Sequence, residues 1–154
     1  MTVTEIAQIL SGFVGTLCFG ILFRIRGWRL CAVSLGGLLS WFLFVILNRW
    51  IPNEVVNYFI VALVISLYNE IMARVLKTPT TMFVTTSLIP LIPGGSLYYT
   101  MAYAFEGNRE HFLEKAIYTL QLASALALGI ILAATLTKIV CNLLAARKSP
   151  DAHA

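Results

Sequence analysis

Ile89-Pro90-Leu91-Ile92-Pro93-Gly94-Gly95-Ser96 interrupts an otherwise apolar run, about residues 81–105, that is long enough to cross a bilayer. These residues do not continue a helix. Pro90 and Pro93 each lack an N–H and crowd the carbonyl four residues earlier, which frees acceptors near Thr86 and Ile89, and the glycines that follow admit positive φ. The two halves, Met82 to Ile92 and Ser96 to Phe105, each reach about 15 Å as helix, so the break is expected near the membrane midplane. Backbone left unpaired at that depth must be buried in protein or wetted.

The rest of the chain is equally apolar. Of its 154 residues 59% are hydrophobic and only 12% charged, with a mean hydropathy of +0.85, too little charge for an ordinary water-facing surface. The apolar runs predict an all-α, polytopic membrane helix bundle of about five segments, at residues 4–23, 30–47, 54–75, 81–105 and 115–140, with the fourth broken mid-span at Pro93-Gly94-Gly95. They form one membrane domain, residues 1–144, followed by a polar cytoplasmic tail, residues 145–154. Residues 1–23 open with Glu5 rather than a basic region and keep Phe19 and Phe23 where a signal peptide would place small residues, so they read as a retained span.

Lys and Arg divide unevenly between the two sides. Arg24, Arg26, Arg29, Arg74, Lys77, Lys138, Arg147 and Lys148 fall on one, against Arg49, Arg109 and Lys115 on the other. The positive-inside rule then places the chain in the cytoplasmic (inner) membrane with its N-terminus out and its C-terminus in. The formal charge of +4 is accounted for by these inter-span residues, and no aromatic-basic reading motif accompanies it, so nucleic acid is excluded as a partner. Cys18, Cys31 and Cys141 all lie in apolar segments without metal-ligand spacing and read as packing residues. Small residues recur every fourth position at Gly12, Thr16 and Gly20, at Ala32, Gly36 and Ser40, and at Ala125, Gly129 and Ala133. Packing within the chain is the simpler explanation, and contact between copies in a homo-oligomer is the alternative.

The chemistry concentrates at the break. A first half-helix ending there presents carbonyls, while a second beginning there presents the free N–H groups of Gly94, Gly95 and Ser96 behind Pro93, a donor set suited to the carboxylate of a small amino acid or carboxylic acid. Thr85, Thr86, Ser87, Tyr98 and Tyr99 add hydroxyls, and Pro90 frees the acceptor on the other side. Against this stands the ordinary fact that proline and glycine kink membrane helices without any ligand, and that hydroxyls bond back to their own helix. Glu70 and Arg74, spaced four apart after Ser66 and beside Asn69, are candidates for proton coupling or a structural ion pair. Gln121 and Ser124 line the same cavity or bond a neighbouring helix. The stretch from Glu106 to Lys115, with Arg109, Glu110, His111 and Glu114, reads as an exposed loop without metal-ligand spacing. His111 and His153 lie outside the spans, where no Ser-His or Cys-His pairing forms, so no enzymatic activity, metal or cofactor is expected.

Several of these stretches resemble the threonine/serine exporter family, split type, in its small subunit, which corresponds to the second membrane half of the single-chain exporters. The residues that carry the resemblance are Phe19-Gly20-Ile21-Leu22-Phe23, Asn69-Glu70-Ile71-Met72-Ala73-Arg74, Ile89-Pro90-Leu91-Ile92-Pro93-Gly94-Gly95 with Tyr98, and Leu128-Gly129-Ile130. The resemblance implies efflux of small hydroxy amino acids, or of dicarboxylates in related systems, driven by the proton gradient, with a larger membrane subunit supplying the other half. The alternative is a non-transporting assembly or stability subunit for that larger partner.

Overall fold

The computed structural model describes residues 3–148, and every regular element among them is helical. Helix α1 covers Val3–Leu22, α2 Trp28–Trp50, α3 Glu54–Val75, α4 Thr80–Leu88, α5 Gly94–Phe105 and α6 Arg109–Lys148, with a 3₁₀ turn at Ile89–Leu91 between α4 and α5. Four of these, α1, α2, α3 and α6, are long and apolar enough to cross a membrane.

The helix ends follow local chemistry. Asn53 caps α3 by accepting a hydrogen bond from the Val55 amide at 3.1 Å, just after Pro52. Gly107, at φ +71°, turns the chain after α5, and the Asn108 carbonyl and side chain then receive the amides of Phe112 and His111. That cap starts α6 at Arg109, so most of the expected loop before Lys115 is exposed helix. At its other end α6 runs through Lys148, into the stretch expected to be a polar tail; residues 149–154 of that tail lie outside the described residues.

α3 is the centre of the bundle, with α2, α4 and α6 packed around it and α1 against α2. One core cluster joins Phe44, Tyr58, Val61, Ile65, Leu88, Leu91 and Leu122, and a second, toward the other end, joins Ile25, Ala32, Val33, Ala73 and Phe83. Small residues set the helix separations. All three small-residue stripes are buried inside the chain, which answers the packing question in favour of intrachain contact. A Cβ built on Gly129 would sit 2.8 Å from Ala62 Cβ and 2.9 Å from the Phe59 carbonyl oxygen, and one on Gly37 would sit 1.9 Å from Thr16 Oγ1. Helices this close gain dispersion energy that lipid tails cannot match.

Register along α6 locates α5. Gly129 faces Ala62 and Arg74 reaches Cys141, so α6 runs parallel to α3. Tyr118 donates to Glu54 where α3 begins, and Thr119 beside it bonds Ser96 at 2.7 Å. The nine residues of α6 before Tyr118 therefore extend roughly 14 Å past the start of α3. α5 packs on this overhang and has no comparable contact with α1, α2, α3 or α4. Its outer face, with Leu97, Tyr98, Tyr99, Met101 and Phe105, is exposed.

If close approach holds the bundle, Gly129→Ala and Gly37→Ala should each lower stability by about 1–3 kcal/mol, the usual cost of overpacking. Gly15→Ala, whose Cβ would meet nothing within 4 Å, should not lower it, since alanine is the better helix former. Denaturant unfolding of the detergent-solubilised protein reads all three.

Candidate functional site

Helical hydrogen bonding lapses after Leu88. The chain passes through the 3₁₀ turn, Ile92 extends, and Pro93 leads into α5. The two halves beside the break do not share one span, because α5 packs on α6 beyond the start of α3. Nine α-helical residues and three at 3₁₀ rise carry α4 and its turn about 20 Å from the Thr80 end. Pro90 accordingly lies against Gly12 and Trp41, and Ser96 is level with the start of α3.

At the break the backbone offers two free donors. The Gly94 amide is taken by the Ile92 carbonyl at 2.7 Å and the Leu97 amide by Pro93 at 3.0 Å. Among the described residues the amides of Gly95 and Ser96 have no such partner. Gly94 and Gly95 are exposed, and a Cβ on either would meet nothing within 4 Å. The donor set thus opens onto the outside of this chain. Beside it Ser96, Thr100 and Thr119 form a hydroxyl cluster, with Thr119 Oγ1 at 2.7 Å from Ser96 Oγ and 3.1 Å from Thr100 Oγ1. Thr119 has no sequence signal of its own; only the register of α5 on α6 brings it here.

The other hydroxyls go elsewhere. Thr86 is fully buried and donates to its own helix at Met82 O, 2.7 Å away, while Tyr98 and Tyr99 are exposed and meet edge to face at 5.6 Å. Thr85 lines a separate shallow cleft with Phe23 and Met82. Gln121 and Ser124 are exposed, and Ser124 donates back to Gln121 O. Ser87 turns inward, reaching Asn69 Oδ1 at 3.1 Å and Val33 O at 3.3 Å across three helices. Asn69 is fully buried, and its Nδ2 has no partner.

Glu70 and Arg74 pair at 3.5 Å, and Arg74 also donates to Cys141 Sγ at 2.8 Å. Glu70 is the more sheltered, with its side chain 13% exposed against 47% for Arg74. The pair lies near the Val75 end of α3, and the break near its Glu54 end, on the order of 20 Å apart along the helix. Of the candidate residues, then, Pro90, Pro93, Gly94, Gly95 and Ser96 stand together, Thr86 is turned away, and Glu70 and Arg74 form a second locus. Ser87 and Asn69 tie α4 to α3 between the two.

Ser87→Ala should cost about 1 kcal/mol, the worth of an interhelical hydrogen bond in a membrane protein, because it strips Asn69 of its side-chain partner. Equilibrium unfolding compared with Thr85→Ala, an exposed control on the same helix, measures it.

A family model described as Threonine/Serine exporter, ThrE, matches residues 8–136, from the second turn of α1 well into α6. No curated protein and no solved structure matches the chain. The matched region holds most of the sequence, including the break, the Ser87–Asn69 tie and the Glu70–Arg74 pair, and the chain therefore belongs to the threonine/serine exporter, ThrE, family.

Proposed function

We propose that this chain is the small subunit of a split secondary transporter that exports threonine, serine or a small carboxylate from the cytoplasm, coupled to protons and completed by a larger membrane subunit. It sits in the inner membrane with its N-terminus out. The observation that carries the reading is the break itself, where among the described residues the Gly95 and Ser96 amides begin α5 without a hydrogen-bond partner and Gly95 faces open space. Donors so placed suit a carboxylate once a second protein surface encloses them, because shielding from water is what gives a dipole end its strength. Support for the partner comes also from α5, which packs on the overhang of α6 and leaves its apolar outer face exposed among the described residues. Glu70, sheltered in a span and paired with a single arginine, is the group assigned to proton exchange.

Deleting either subunit should abolish efflux of preloaded radiolabelled threonine, serine or succinate from cells. Export retained by the larger subunit alone would reduce this chain to an assembly factor. In proteoliposomes of the complex, Glu70→Gln should slow efflux driven by a pH gradient at least tenfold while threonine–threonine exchange persists. Equal loss of both would assign Glu70 a structural role only.

A further inference from the structure

Two clefts meet where α1 lies on α2. One, of about 210 Å³, is lined by Gln8, Ser11, Gly12, Gly15, Trp41 and Pro90; the other, of about 270 Å³, by Glu5, Gln8, Trp41, Asn48 and Arg49. Gln8 and Trp41 belong to both, so the two make one groove. It runs from the Glu5–Arg49 ion pair at the end of the bundle inward to the 3₁₀ turn that precedes the break.

Its chemistry is unlike that of a lipid-facing seam. A carboxylate and a guanidinium close one end, and two carboxamides, Gln8 and Asn48, stand in the wall. The Trp41 indole N–H is buried without an acceptor. The Gln8 carboxamide makes no hydrogen bond among the described residues, since Ser11 bonds its backbone oxygen instead. Free amide and indole groups in a membrane span are costly unless something polar meets them. An acyl chain would satisfy none of them. A partner helix, about 10 Å across, is too broad for a groove of this volume. Small size, mixed polar and aromatic lining, and one charge of each sign at the mouth instead describe a site for a small zwitterion.

We infer that this groove binds a small α-amino acid, whose ammonium and carboxylate are taken by Glu5 and Arg49 as their own pair opens, and whose side chain lies along Gln8, Ser11 and Trp41. The inference rests on the export reading above and names a second place along the substrate's route, on the opposite side of Pro90 from the Gly95 amides. Because Ile89 and Pro90 form the inner end of the groove, a ligand seated there touches the 3₁₀ turn that precedes the break.

Trp41 is its own reporter. The chain has three tryptophans, and Trp28 and Trp50 are exposed at the ends of α2. The full chain carrying Trp28→Phe and Trp50→Phe, in lipid nanodiscs, should show a saturable change in Trp41 emission on titration with L-threonine. Lactate, lacking the ammonium, and ethanolamine, lacking the carboxylate, should bind at least tenfold more weakly. Gln8→Leu, at an exposed position, should raise the threonine midpoint at least tenfold. A silent Trp41, an unchanged midpoint in Gln8→Leu, or emission that follows lipid chain length or the partner subunit instead of threonine overturns the site. Parallel efflux assays separate the two claims. Threonine export with a silent Trp41 sinks the groove and leaves the transporter standing, whereas a titrating Trp41 without export keeps the groove and sinks the export reading.

Discussion

Hydrocarbon supplies no hydrogen-bond partner, so any backbone or side-chain polar group placed in it must find one in the protein or be met by a ligand or water. Much of this structure is a response to that constraint. Thr16, Thr86, Thr135 and Thr137 each return their hydroxyl to the carbonyl four residues back, and Tyr68 crosses from α3 to the Ala32 carbonyl of α2. Among the described residues a few groups are left over, the Ser34 and Ser66 hydroxyls and the Asn57 amide oxygen inside the bundle among them. Gly95 and Ser96 present theirs at the break, Asn69 holds an unpaired amide in the bundle centre, Trp41 keeps a buried indole N–H beside the α1–α2 groove, and Gln8 lines that groove with a free carboxamide.

Close packing is the second response. With no hydrophobic drive between helices in lipid, contact area must come from backbones that approach closely, and here Gly129 against Ala62 and Gly37 against Thr16 bring α3 to α6 and α1 to α2. The same device admits Pro90. A 3₁₀ turn with a proline ring is bulky, and Pro90 lies beside α1 opposite Gly12, where an added Cβ would stand 3.6 Å from the ring. Packing and the break are thus parts of one arrangement, in which α4 is locked into the bundle by Ser87 and the second core cluster while α5 is released to α6.

How much of this was legible before folding varies by element. The spans of α1, α2 and α3 follow from hydropathy to within a few residues, because a bilayer selects helix length and composition locally. The interruption at Pro93-Gly94-Gly95 is likewise local, since a missing N–H and a missing Cβ act wherever they stand. Where its second half packs was not legible. Counting helical residues on either side assumes that both halves share one span, whereas α5 slid out along α6 to where Ser96 meets Thr119. The start of α6 was missed for a similar reason: charged residues from Arg109 to Glu114 suggest a loop, yet Asn108 caps a helix and α5 gives its first turns a surface to pack on.

By itself, then, the sequence determined an all-helical membrane chain, a broken fourth segment, an exporter family and the residue types available at the break. These rest on interactions within a few residues of each other or with lipid, which a linear pattern records. Only the tertiary structure decided which hydroxyl faces which helix, that Thr86 turns away while Thr119 arrives, that Glu70 lies far from Gly95, and that Gln8, Trp41 and Arg49 line one groove. Those outcomes depend on the register between helices distant in sequence. Register is set by where glycines and alanines let backbones touch, a property of pairs of surfaces that neither sequence segment carries alone.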